Sequence, residues 1–235
     1  MNKNVGKHCY PTFGGHKLPD ELEHPITVNV FLKGSDVIVD RFHQCGVSPN
    51  DITTISMILG LLAIYYVLQG RPILAAVIYL ISYLFDCLDG IKARKFNQET
   101  EFGQFWDHLH DWTIFFGLLI AISIKYPMNK WWWLLLFATI VGTSFHLGLT
   151  EEFNTKCRGI DQPNNMLRIC TYLSRWVEPD CFAFAANPED EELAHKYCTK
   201  VINRMKATRW VADVNMVLFL AVYLIYSGLT KSPSE

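Results

Sequence analysis

The sequence predicts an all-α protein: a polytopic membrane helix bundle of five to six transmembrane helices, preceded by an N-terminal interfacial amphipathic helix. Three observations predict it. Half of the 235 residues are hydrophobic and only 19% are charged. The apolar residues fall in blocks instead of spreading evenly. Several blocks approach the ~20 residues that a helix needs to cross the hydrocarbon core. The net charge of −2, with no basic stripe, excludes a nucleic-acid surface.

Residues 1 to 24 form a polar lead-in rich in Gly, His and Pro. It has no apolar h-region, so no cleavable signal peptide is expected and the first span acts as the insertion signal. Next, Ile26, Val30, Val37, Ile38 and Phe42 fall on one face of an interfacial helix, interrupted near Gly34. Pro49–Asn50 then opens an uncharged run from Ile52 to Gln69, and Gly70–Arg71–Pro72 breaks it. A second run covers Ile73 to Phe85. The third covers Trp112 to Ile124, on a helix that the polar residues before it can join. Tyr126–Pro127 ends that helix. Trp131, Trp132 and Trp133 open the fourth run, which reaches Leu149 and begins as an aromatic interface belt would.

Residues 151–207 differ. They carry mixed charge with Pro163, Pro179 and Pro188, and amphipathic helices are expected near Met166–Trp176 and Glu191–Lys206. The Glu189–Glu192 run reads as a solvated helix start. A fifth span runs from Trp210 to Tyr226. The expected organisation is a polar N-terminus and interfacial helix (1–46), one membrane domain (47–229) with 151–207 as a cytoplasmic polar insertion, and a tail (230–235). Arg41, the Lys92–Lys95 stretch and the basic residues of 151–209 lie on one side if the spans alternate. The positive-inside rule makes that side cytoplasmic. The seven cysteines include no C-x-x-C pair and are odd in number, so reduced thiols are expected.

Chemistry concentrates between Asp86 and Asp111, in DCLDGIKARKFNQETEFGQFWDHLHD. Asp86 and Asp89 are three apart on one helix face. Gly103, Asp107 and Asp111 repeat every four residues along the next helix. A short polar connection makes the two helices antiparallel neighbours, so the four carboxylates can converge. Acids so crowded either stay protonated or share a cation, and hard oxygen ligands point to magnesium, manganese or calcium rather than zinc. Gly90, Ala93 and Gly103 leave a slot where a base or phosphate could approach backbone. Arg94 adds a fork suited to phosphate. Any one of these residues is ordinary in a polar loop; together they describe a site for a nucleotide diphosphate. His146, inside the fourth run, reads as a packed, hydrogen-bonded histidine.

The spacing D-x-x-D-G-x-x-A-R-x8-G-x3-D-x3-D is complete in Asp86, Asp89, Gly90, Ala93, Arg94, Gly103, Asp107 and Asp111. It resembles the signature of the CDP-alcohol phosphotransferase (phosphatidyltransferase) family, and Pro49–Asn50–x–x–Thr53 looks like that family's P-N-x-x-T. The resemblance implies transfer of a phosphoalcohol from a CDP-alcohol to a lipid-type hydroxyl, with release of CMP. It implies Mg2+ or Mn2+ held by Asp86, Asp89, Asp107 and Asp111, with Asp111 as catalytic base and His108 as a second base or a neighbour of Asp107. Thr53, Gly90, Ala93, Arg94 and Gly103 would bind substrate. A homodimer is also implied, in an endoplasmic-reticulum-type membrane if the protein is eukaryotic.

The branch rests on finer signals. Asp107–His108–x–x–Asp111 looks like the D-H-x-x-D of choline and ethanolamine phosphotransferases, and the expectation leans to CDP-choline or CDP-ethanolamine with diacylglycerol. Ser56, where CDP-diacylglycerol-consuming members often carry Arg, agrees with that lean. The Asn97–Gly103 stretch and the chain length are instead similar to phosphatidylinositol synthases, which makes a CDP-diacylglycerol-dependent synthase the alternative. A transporter would not need the small-residue slot and Arg at these offsets. A scaffold relative would be expected to have lost an acid.

Overall fold

The computed structural model describes residues 15–158, 170 and 191–230. Among them there is no strand, and seven α-helices carry the fold. They are α1 (Lys33–Gln44), α2 (Pro49–Leu68), α3 (Pro72–Lys95), α4 (Glu101–Lys125), α5 (Lys130–Glu152), α6 (Glu191–Thr208) and α7 (Val214–Thr230). A π-helical stretch, Thr27–Leu32, runs into α1, and another, Phe153–Cys157, extends α5. The stretch near Met166–Trp176 and the prolines at 163, 179 and 188 lie outside the described residues, as do residues 1–14 and the 231–235 tail.

Among the described residues four segments are long and apolar enough to cross a membrane: Pro49–Leu68, Pro72–Lys95, Lys130–Cys157 and His195–Thr230. The protein is an integral membrane protein. The expected third span is α4, which is 25 residues long but is not among the four. Its first turns carry Glu101, Asp107, His108, His110 and Asp111, and those polar groups shorten its apolar length. Of the five to six spans expected, four are found by length and composition among the described residues.

Two compact units make up the chain. One contains Phe13–Lys17, Pro25–Leu136 and Met216–Glu235. Local chemistry sets its helix ends. Ser48 caps α2 in a capping box with Asp51, and Pro49 takes the first helical position, where a missing N–H costs nothing. Pro72 does the same for α3. Small residues let helices close together: a Cβ on Gly60 would come within 2.5 Å of the Ile114 side chain, and one on Gly117 would collide with that of Ile64, so each helix seats an isoleucine of the other on a glycine. The core behind them joins Ala63, Val67, Ala76, Leu118 and Ile122 to Leu220 and Tyr223 of α7. The Tyr223 hydroxyl donates to the Tyr126 carbonyl at 2.8 Å, and Trp132 packs edge-on against Tyr223.

The interfacial helix departs from expectation. The backbone stays helical through Gly34 with no interruption there. The buried face is Val28, Phe31, Leu32, Ser35 and Val39, against Leu88 and Ile91 of α3, while Ile26, Val30 and Val37 stand exposed. The buried positions still follow the 3.6-residue period, and of the expected face Ile38 and Phe42 pack partly buried against the same cluster.

The other unit contains Leu18–His24 and Phe137–Asn215. Its core gathers Leu22, Leu149, Phe153, Tyr197, Val201 and Met205. Cys157 and Cys198 form a disulfide, which corrects the expectation of reduced thiols for that pair; Cys45, Cys87 and Cys170 are in no disulfide. The expected helix near Glu191–Lys206 is present as α6. Buried His146 lies 3.0 Å from the Thr208 hydroxyl, the packed, hydrogen-bonded role expected of it.

Candidate active site

The connection between α3 and α4 sets the site. Helix α3 ends in a Schellman motif: Gln98 N–H donates to the Ala93 carbonyl at 2.7 Å and Asn97 N–H to Arg94 at 3.4 Å. Asn97 takes the left-handed conformation this needs, with φ 53°. Two residues later Thr100 caps α4, its hydroxyl accepting from Gly103 N–H at 3.0 Å. With both ends fixed, the C-terminal turns of α3 and the N-terminal turns of α4 hold a set register, and their acids meet there.

One oxygen from each of Asp86, Asp89 and Asp107 lies within 4.8 Å of the other two. Asp89 is buried, and the Thr53 hydroxyl donates to its Oδ2 in a short contact from α2. Thr53 itself is 3.2 Å from the Pro49 carbonyl, so the capped start of α2 orients the hydroxyl that orients Asp89. A set of hard carboxylate oxygens this close fits a divalent cation such as magnesium or manganese. Asp111 is more open, its side chain 57% exposed, and groups with Asp107 and His108.

Two of the small residues lie beside polar groups. A Cβ on Gly90 would come within about 3.0 Å of the Arg94 guanidinium, and one on Gly103 within 3.0 Å of Asn50 Oδ1. Either side chain would press on a polar group at the site. Arg94 Nε donates to the Gly15 carbonyl at 2.6 Å, which ties the segment before α1 to the end of α3. His108 Nδ1 is 3.8 Å from Asp107 Oδ2, an ion-pair distance rather than a hydrogen bond.

Two residues to which the sequence assigns no site role lie against the acid cluster and the connection. His110 is buried between three helices, with Nδ1 2.9 Å from Asp86 Oδ1 and 3.6 Å from Asp111 Oδ1, and Nε2 3.0 Å from Ser56 Oγ. The available signal was its position three residues after Asp107, on the same helix face. Lys92 is almost wholly buried and donates to Gln98 Oε1 at 2.8 Å, bracing the same connection. Nothing in its spacing marked it.

A sequence model of the family described as CDP-alcohol phosphatidyltransferase matches residues 46–167. Among similar proteins, a CDP-diacylglycerol–inositol 3-phosphatidyltransferase of Candida albicans is 26% identical over 131 residues, 55% of this chain and 56% of that one. The Drosophila melanogaster protein of the same name is 34% identical over 90 residues, 38% of this chain and 40% of its own. A CDP-diacylglycerol–glycerol-3-phosphate 3-phosphatidyltransferase of Aquifex aeolicus is 40% identical over 118 residues, 49% of this chain and 64% of that protein. The matches span about half the length of these curated relatives. No solved structure matches.

Proposed function

We propose a reaction from the premise that the chain belongs to the CDP-alcohol phosphatidyltransferase family, as the match over more than half of its length shows. The reaction is transfer of a phosphatidyl group from CDP-diacylglycerol to a hydroxyl of a small polar alcohol, inositol or glycerol 3-phosphate, with release of CMP. The convergence of Asp86, Asp89 and Asp107 from two helices carries the phosphotransfer reading. The donor follows the relatives, whose names specify CDP-diacylglycerol with inositol or glycerol 3-phosphate. They favour the CDP-diacylglycerol alternative over the lean towards CDP-choline or CDP-ethanolamine, since a single histidine after Asp107 is a weaker signal than similarity over about a hundred residues.

Asp86, Asp89 and Asp107 would hold magnesium or manganese, which when bound neutralises the diphosphate and the charge that develops on the transferred phosphoryl group. Thr53 keeps Asp89 turned into the cluster. Gly90, Ala93 and Gly103 leave room for the cytidine, and Arg94 stands at the phosphates. Asp111, the open acid one turn beyond Asp107, takes the proton of the acceptor hydroxyl. The acceptor oxygen forms a bond to the β-phosphorus while the bond from that phosphorus to the bridging oxygen breaks, and CMP leaves with the electron pair. His108 is assigned no proton transfer, because it sits against Asp107 instead of standing alone towards an acceptor.

The test is CMP release by purified protein in detergent with magnesium, given CDP-diacylglycerol with inositol, glycerol 3-phosphate or no acceptor, and in parallel CDP-choline with diacylglycerol. Acceptor-dependent CMP from CDP-diacylglycerol alone supports the reading. CMP from CDP-choline alone reverses the donor assignment, and none from any donor removes it. The basic residues Arg41, Lys92, Arg94 and Lys95 argue for a site facing the cytoplasm, whereas a disulfide is more at home in an oxidising compartment. Exposed Cys45, next to the start of α2, decides the matter. A membrane-impermeant maleimide should label it in intact cells only after the membrane is opened, and labelling before that places the site on the outer face.

A further inference from the structure

The geometry points to His110 as a positioning residue: it bridges Ser56 of α2 to Asp86 of α3 and so fixes Asp86 as a ligand for the divalent cation. This rests on the phosphotransfer reading of the acid cluster.

Three observations carry it. The imidazole is only 4% exposed, so water does not compete for its nitrogens. Its far side is anchored: Nε2 is 3.0 Å from Ser56 Oγ, and Ser56 is locked to α3 by a reciprocal pair, its hydroxyl 2.7 Å from the Ser82 carbonyl and the Ser82 hydroxyl donating to the Ser56 carbonyl at 2.8 Å. Its near side faces acid: Nδ1 is 2.9 Å from Asp86 Oδ1 and 3.6 Å from Asp111 Oδ1. The Nδ1–Asp86 approach is a close contact without hydrogen-bond alignment, so His110 acts on Asp86 by packing and charge across 2.9 Å, while its far side is held by Ser56. Asp86 is thus shared, one of a group with His110 and Asp111 and also of the group with Asp89 and Asp107. A carboxylate held from behind offers its ligand oxygen in one orientation, and outer partners of this type set metal affinity by about 10–100-fold.

The small side chain at position 56 makes this possible. A longer side chain there would fill the space that the ring occupies between α2 and α4. Ser56 and His110 therefore act as one unit, built from positions 54 apart in the chain.

The experiment measures Mn2+ binding directly, by the loss of the free-ion paramagnetic resonance signal, on full-length wild type, His110→Ala, His110→Gln and Ser56→Ala without substrate. CMP release against magnesium concentration is measured alongside. His110→Ala should weaken Mn2+ about 10-fold or more, His110→Gln should recover part of the loss, and Ser56→Ala should shift it less in the same direction. The rate deficit of His110→Ala should shrink as magnesium rises. Unchanged Mn2+ affinity in His110→Ala overturns the inference, as does a rate deficit that stays constant at every magnesium concentration. If His110→Ala does not fold, unchanged affinity in Ser56→Ala overturns it instead. Because binding is read without turnover, a wild type that makes no CMP counts against the proposed reaction and leaves this result to stand separately.

Discussion

The two units treat buried polar groups in opposite ways. In the unit of Pro25–Leu136 and Met216 onward, acids face acids: Asp86, Asp89 and Asp107 approach one another from two helices. In the unit of Leu18–His24 and Phe137–Asn215, acids face donors: buried Glu152 accepts from the Tyr197 hydroxyl at 3.1 Å, and at the surface Glu21 pairs with Lys206 at 3.0 Å. A disulfide then closes that unit. Like charges packed together cost energy that only a cation or a proton relieves, whereas acids with donors are complete as they stand. The first arrangement is built for a ligand and the second for stability.

Substitutions of equal size on each side separate the two roles most sharply. Asp89→Asn should lower CMP release on the order of 10³-fold, the scale of several kcal/mol of lost charge stabilisation. Folded Glu152→Gln should stay within about twofold of wild type in the same assay. Equal losses in both would erase the distinction. Reduction of the Cys157–Cys198 bond comes next. The 41-residue separation predicts a loss of about 3–4 kcal/mol, read as a lower thermal midpoint, with an unchanged magnesium requirement. A change in that requirement would mean that the second unit tunes the site. Gly117→Val should cost about 1–3 kcal/mol by forcing α4 from α2 at Ile64, with a raised magnesium requirement if α2 loses its hold on Asp89. The smallest effect is expected from Tyr197→Phe, about 1 kcal/mol in stability with no change in turnover.

The same contrast explains what the sequence could reveal. The acid site was legible because its signature lies within one stretch, Asp86 to Asp111, and helical periodicity alone puts its carboxylates on two facing surfaces. Helices α2, α3, α5 and α7 were legible as apolar blocks bounded by Pro and Gly. The buried face at the start of α1 was not, since apolar residues such as Ile26, Val30 and Val37 fall on both sides of the helix and only the contact with α3 decides which are covered. The pairing of His110 with Ser56 was not legible, because it comes from a contact between helices and not from spacing along one. The pairings of the second unit join residues as distant as Glu21 and Arg209, where the arginine donates to the Glu21 carbonyl at 3.2 Å, and no local pattern announces them.

The most direct test of the account is CMP formation from CDP-diacylglycerol and inositol or glycerol 3-phosphate as magnesium is titrated into chelator-treated protein, for wild type and Asp111→Asn. The account predicts no CMP without metal, saturable recovery in wild type, and a rate in Asp111→Asn that stays low at every magnesium concentration, because it lacks the base and not the cation. Metal-independent CMP formation, or full activity in Asp111→Asn, would contradict it.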